Sequence, residues 1–241
     1  EARGITYAYP GARTPLYRDF DLAVGPDERV ALSAPSGFGK TTLCRMLAGY
    51  DRPQKGEILV DGAPLPKRGT CPVQLLLQHP ETAVDPRMRM SQTLAEAGEV
   101  PQRLLDDLGI QKRWLARFPH ELSGGMARRV LLCCALMDDP RVIVADEPTP
   151  GLDLDLAVRA LDDFRAFADA GGGVMLITHD IELALRVADR VAVFRDGTVV
   201  EETAVANFAS PDLLQHPFSR ELWHALPEHG FEAPGGSTEG G

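Results

Sequence analysis

The segment SAPSGFGKTT at positions 33–42 constrains this chain more than any other feature, because it commits a strand, a tight loop and a helix to one order. Val30, Ala31 and Leu32 form an apolar run that reads as a buried strand. Residues 41–47, carrying Leu43, Met46 and Leu47, read as the helix that follows. Between them Gly37 and Gly39 let the backbone turn its N–H groups inward, at a helix N-terminus whose dipole favours negative charge. Such a loop suits phosphate oxygens. Pro35, Ser36, Gly37, Phe38, Gly39, Lys40, Thr41 and Thr42 are therefore the candidate phosphate-binding residues. Lys40, one of four lysines in the chain, would reach the β- and γ-phosphates of a nucleotide, and the Thr41 hydroxyl is placed to bind Mg²⁺.

The usual pattern is G-x-x-x-x-G-K-[ST], and Ala34 stands where its first glycine belongs. If that position needs positive φ or a close phosphate, the methyl group costs about 1 kcal/mol. Phe38 is also bulkier than the small residue usual between the two glycines.

A second apolar run, VIVA at 142–145, is typical of a parallel strand buried on both faces, and it delivers Asp146 and Glu147 to its C-terminal end. Ligands of open α/β sheets bind at such ends. His179 closes a third run, VMLIT at 174–178, and Gln78 ends a fourth, VQLLL at 73–77. A lone histidine or glutamine carries no signal by itself. In ELSGG at 121–125, Ser123 can cap a helix beginning near Met126, leaving the N–H groups of Gly124 and Gly125 at a positive helix end.

In this order and at these distances, SAPSGFGKTT, ELSGG and VIVADEP, together with Gln78 and His179, resemble the ATP-binding cassette (ABC) family, from about Thr6 to Pro227. The resemblance implies an α/β fold: a P-loop nucleoside triphosphatase core with an antiparallel β subdomain and an inserted α-helical subdomain. It implies ATP and Mg²⁺ as cofactors. Asp146 would hold Mg²⁺ through water, and Glu147 would be the general base on the attacking water. His179 corresponds to the switch histidine that contacts the γ-phosphate, and Gln78 to the Q-loop glutamine that senses Mg²⁺ and water. Ser123, Gly124 and Gly125 would meet the γ-phosphate bound by a second subunit, so that two nucleotides are clamped between two cassettes head to tail. Met126 replaces the glutamine that often follows SGG. Tyr9 aligns with the aromatic that stacks on adenine. Strand alternation puts Tyr7 on the same face, so only the family match separates the two. Pro148, Thr149, Pro150, Gly151, Leu152 and Asp153 resemble the D-loop.

HPETAVDPRMRM after Gln78, PHELSGGM, and HPFSRELWHALP near the C-terminus narrow the resemblance to the oligopeptide, dipeptide and nickel importers. That subfamily implies a second, different ATPase chain, two membrane permease subunits and an extracellular solute-binding protein as partners, and a place at the cytoplasmic face of the membrane. The cysteine-rich iron–sulfur element that some members carry in this tail is absent. The competing class is a soluble ABC ATPase acting on ribosomes or DNA. Such proteins usually carry two cassettes, a long coiled coil or zinc elements, none of which stands in this chain.

Composition agrees. A chain of 241 residues, 44% hydrophobic and 25% charged, can bury one substantial core with subdomains. The net charge of −10 argues against a nucleic-acid partner. The longest apolar run, residues 130–137, is too short to span a bilayer, and no signal peptide is visible. The chain begins at Glu1, so preceding residues are expected. Cys44, Cys71, Cys133 and Cys134 lack metal or redox spacing and read as small apolar residues suited to a reducing cytosol.

The expected organisation is one nucleotide-binding domain over 1–228 and a flexible tail over 229–241. Residues 4–32 and 56–62 read as a mostly antiparallel sheet with a turn at Asp61-Gly62. Residues of about 88–137 read as helical, and those of about 205–228 as a C-terminal helical extension.

Overall fold

The computed structural model describes residues 1–35, 37–79, 83–149 and 154–226, with side chains undescribed at 154–157, 159 and 160. Ser36, part of the D-loop segment (150–153) and the tail after 226 therefore lie outside the described residues. In chain order the elements are β1 (Ala2–Tyr7), β2 (Tyr17–Leu22), β3 (Arg29–Ser33), α1 (Lys40–Leu47), β4 (Lys55–Val60), β5 (Ala63–Pro64) and β6 (Val73–Leu76). There follow α2 (Met90–Glu96), α3 (Gln102–Asp107), α4 (Lys112–Leu115), α5 (Gly124–Met137), β7 (Val142–Asp146) and α6 (Leu154–Asp169). The chain then runs through β8 (Gly173–Thr178), α7 (Ile181–Val187), β9 (Arg190–Arg195), β10 (Thr198–Ala204) and α8 (Pro217–His224).

Each apolar run forms a strand of one six-stranded sheet, ordered β10-β9-β3-β8-β7-β6 and parallel except for the edge strand β10. The runs are continuous because both faces are covered. Alternate residues divide between two cores: Ala31, Ile143, Ala145, Val174 and Leu176 pack with α5, α6 and α7, while Val30, Leu32, Val144, Met175 and Ile177 pack with α1 and the smaller sheet.

The smaller sheet is antiparallel, ordered β2-β1-β4-β5, and Asp61 and Gly62, both at positive φ, make its β4–β5 turn. It does not take in all of residues 4–32. In β2, Tyr17, Phe20 and Leu22 are buried while Arg18, Asp19 and Asp21 are exposed, which suits a one-sided sheet. β3 is apolar on both faces and lies instead between β8 and β9.

Residues 88–137 hold α2 to α5, and α5 sends Val130, Leu132 and Cys133 into the core beneath the parallel sheet. Residues 205–226 are less helical than their pattern suggests. They form short 3₁₀ turns at Val205–Ala209 and Pro211–Leu213 before α8, because Pro211 and Pro217 each start a new turn, where a missing N–H is harmless. β10 has no counterpart in the sequence reading.

This C-terminal stretch is clasped to β10. Glu201, buried on that strand, accepts N–H groups from Gln215 at 2.9 Å and His216 at 2.8 Å, and Trp223 Nε1 donates to Phe208 O at 2.8 Å. Burial opposes ionisation of Glu201, but the two N–H groups and Ser219 outweigh it and hold its carboxyl below the ordinary 4.5. Glu201→Gln turns an NH₂ toward one of those donors and is expected to lower stability by about 1–3 kcal/mol at neutral pH, several degrees in Tm. Because the folded-state value is depressed, the advantage of the wild type is full above pH 4.5 and disappears as pH falls through the lowered value. Thermal melts of both proteins between pH 3 and 7 test this, and equal midpoints at pH 7 would show that the clasp adds nothing.

Candidate functional site

The strand order explains how residues far apart in the chain meet. β3, β8, β7 and β6 are successive neighbours, with Ser33 opposite Thr178, Asp146 opposite Ile177 and Leu76 opposite Ala145, so their C-terminal ends align. The phosphate loop, His179, the Asp146-Glu147 pair and Gln78 leave those four ends side by side.

The loop after β3 needs its glycines. Gly37 (φ 83°) and Gly39 (φ 76°) are left-handed, and a Cβ on Gly39 would lie 2.4 Å from the Leu16 side chain. Ala34 departs from the pattern without backbone strain. It has ordinary backbone, donates its N–H to Thr178 O at 3.1 Å, and buries its methyl in the core. Phe38 is accommodated too, its ring edge-on to Phe194 at 6.0 Å.

The side chains converge on Glu147. Lys40 Nζ pairs with Glu147 Oε1, His179 Nδ1 lies 2.9 Å from the same oxygen, and Gln78 Nε2 donates to Oε2 at 3.1 Å. Glu147 adopts φ 45°, a left-handed conformation that non-glycine residues keep only where surrounding contacts enforce it, and that clusters at functional sites. Burial works against its charge, but Lys40 and His179 outweigh burial and hold its carboxyl below the ordinary value. Asp146 contrasts with it. Burial raises its carboxyl above the ordinary value, opposed by a 2.6 Å hydrogen bond from Thr41 Oγ1 and reinforced by the neighbouring Glu147. Two adjacent carboxyls are thus driven in opposite directions, Glu147 toward its ionised form and Asp146 toward its neutral one.

The Thr41 hydroxyl and Asp146 carboxylate, already in contact, are hard oxygen donors that fit Mg²⁺, with the Gln78 amide nearby at Glu147. Among the described residues no group of three or more His, Cys, Asp or Glu could hold a metal alone.

Tyr9 lies at the edge of this site, its hydroxyl 2.5 Å from Thr42 Oγ1 and its ring 47% exposed. Tyr7 stands edge-on to it at 5.6 Å and is half-buried against the core.

Ser123 caps α5 as expected, its Oγ accepting from Met126 N at 3.3 Å, but the helix already begins at Gly124. Ser123 and Gly124 are exposed whereas Gly125 is buried, so the open helix end is narrower than the sequence suggested. No hydrogen bond or ion pair among the described residues joins Ser123, Gly124 or Gly125 to Lys40, Glu147, His179 or Gln78. Met126 packs against the core. Arg128, which no sequence pattern marks, is buried on α5 and donates to Gln78 O at 3.4 Å, linking the helix capped by Ser123 to the glutamine at the site. Nothing in the pattern of α5 sets it apart from Arg129.

The family model for ABC transporters matches residues 17–150, from the start of β2 to just past the Asp146-Glu147 pair. The chain belongs to the ABC transporter family. This ABC cassette is an ATPase domain. It is similar to the oligopeptide transport ATP-binding protein OppD of Lactococcus lactis subsp. cremoris, with 34% identity covering 94% of this chain and 75% of OppD. It is similar also to the nickel import ATP-binding protein NikE of Rhodospirillum rubrum, with 35% identity covering 91% of this chain and 86% of NikE. The solved dimeric structure of MJ0796, a bacterial ABC transporter cassette, has the same fold, with TM-score 0.72 at 22% identity over 85% of this chain and 97% of that one.

Proposed function

We propose that this ABC ATPase powers uptake of a peptide or of a metal or metal chelate through partner membrane subunits. The convergence of Lys40, Gln78 and His179 on Glu147, beside the Thr41–Asp146 contact, carries the catalytic part of this reading. The importer part is supported by the likeness to OppD and NikE over nearly the whole chain.

Lys40 turns from Glu147 to the β- and γ-phosphates as ATP enters, leaving Glu147 held by Gln78 and His179. The freed carboxylate takes a proton from water as the water oxygen attacks the γ-phosphorus and the bond to the β-phosphate oxygen breaks. His179, half-exposed beside Glu147, keeps the base and the γ-phosphate in register. Thr41, Asp146 through water, and Gln78 would hold Mg²⁺, which would supply neutralising charge to the phosphate oxygens. The exposed ring of Tyr9 stacks on adenine, an interaction worth about 1–3 kcal/mol per base in nucleic-acid binders.

Ser123 and Gly124, exposed at the capped start of α5, support a head-to-tail pair of cassettes in which they serve the partner's γ-phosphate. MJ0796 is a dimeric cassette. The partner here is a second ATPase chain of different sequence. Among the described residues no helix is long and apolar enough to cross a membrane. Two permease subunits would provide the path, fed by an extracellular solute-binding protein, with this chain at the cytoplasmic face.

Purified alone, the chain is expected to be a slow monomer, because its γ-phosphate lacks the opposing helix end. Light scattering and ATPase assays of the chain alone and with copurifying subunits test this. A monomer as fast as the complex contradicts the interfacial site, and copurification with ribosomes in place of permeases contradicts the importer.

A further inference from the structure

Tyr17 begins β2 in the small antiparallel sheet, away from every motif of the site. Its ring is 1% exposed and wedged between Phe20, at 5.8 Å, and Phe194, at 5.7 Å, so the hydroxyl is carried on a body that packing holds still. That hydroxyl leaves its own sheet. It donates to Gly39 O at 2.6 Å and lies 3.3 Å from Phe38 O, the carbonyls of two successive peptide units in the phosphate loop.

We propose that Tyr17 is a positioning residue for ATP binding, orienting the phosphate loop by holding the carbonyl ends of the 38–39 and 39–40 peptide units. The proposal rests on reading that loop as the ATP site. A peptide unit is planar, and in the trans form its C=O and N–H point in opposite directions. All described peptide bonds are trans. Fixing Phe38 O and Gly39 O therefore fixes the N–H groups of Gly39 and Lys40 on the side away from Tyr17, into the concavity where phosphate oxygens bind.

Neighbouring contacts act on the same atoms. Gly39 O also accepts from Thr42 N at 2.8 Å and Leu43 N at 3.1 Å, so Tyr17 adds a third donor to the carbonyl that starts α1. Leu16 fills the space on the Cα side of Gly39, and Phe38 rests on Phe194, one of the two rings that hold Tyr17. Residues 16 and 17 thus grip a left-handed glycine of the loop. Burial pushes the Tyr17 phenol far above its ordinary ionisation range, so the hydroxyl stays a donor at any working pH.

The test compares the full-length wild type with Tyr17→Phe, which keeps the ring and removes the hydroxyl. Dissociation constants for ATP, inorganic tripolyphosphate and adenosine, each with Mg²⁺, are measured by displacement of a fluorescent adenine nucleotide, alongside the melting midpoint. ATP and tripolyphosphate are expected to weaken in parallel by roughly three- to tenfold, the fold-change of one lost hydrogen bond, with adenosine unchanged. Wild-type affinity for tripolyphosphate, or an equal loss for adenosine, would overturn the proposal by leaving Tyr17 a purely structural core residue. Lys40→Ala is the control: if it binds tripolyphosphate as the wild type does, the loop is not the ATP site and both readings fall. If Lys40→Ala alone loses affinity, only the role of Tyr17 is overturned.

Discussion

Glu147→Gln is expected to bind ATP at least as tightly as the wild type while turnover falls by about 10²–10⁴. The amide has the shape of the carboxylate and its oxygen can still accept from His179 or Lys40, but it cannot take a proton from water at neutral pH. Affinity should not fall, because ATP no longer has to draw Lys40 away from a negative partner; that pair joins side chains only 10% and 9% exposed. Steady-state ATPase rates of the assembled complex and equilibrium nucleotide binding separate the two effects. Normal turnover in the variant would remove Glu147 from the chemistry and leave its left-handed backbone and three partners without a catalytic purpose.

Lys40→Ala should act on the other side of this balance. Removing the cation withdraws a charge-assisted contact with the phosphates, and hydrogen bonds to charged groups contribute about 1.5–3 kcal/mol, so ATP affinity should drop roughly 10- to 150-fold. Hydrolysis should fall with it at subsaturating ATP. The fold should survive, since Glu147 keeps Gln78 and His179 and its carboxylate opens onto the half-exposed His179. Nucleotide titration with melting curves on the same samples decides the matter, and unchanged affinity in a folded variant would refute the role of Lys40.

The two expectations differ in how they could be reached. Lys40 is announced by its immediate neighbours, because Gly37 and Gly39 next to a strand and a helix leave little else for a lysine to do. Glu147 is announced less strongly, as one of two acids at a strand end. Gln78 and His179 are ordinary residues in the sequence, recognisable only through the family pattern. The exposed ring of Tyr9 and the half-buried ring of Tyr7 separate two tyrosines that strand alternation treats alike. Ala34 and Phe38 read as defects in the pattern, yet the structure absorbs both: the methyl because its backbone is ordinary, the ring because Phe194 offers a face.

By itself, the amino-acid sequence determined what depends on near neighbours: the glycines at positive φ, the apolar runs buried on both faces, the Asp61-Gly62 turn, and the Ser123 cap. Local sterics and hydrogen bonding decide these within a few residues of chain. Tertiary structure alone decided which strands are neighbours, and with them the meeting of Lys40, Gln78, Glu147 and His179. It also decided that β3 leaves the antiparallel sheet, that Arg128 reaches Gln78, and that the hydroxyl of Tyr17 lands on the phosphate loop. Those contacts join residues distant in sequence, and packing of whole sheets and helices brings them together, so no local pattern could carry them.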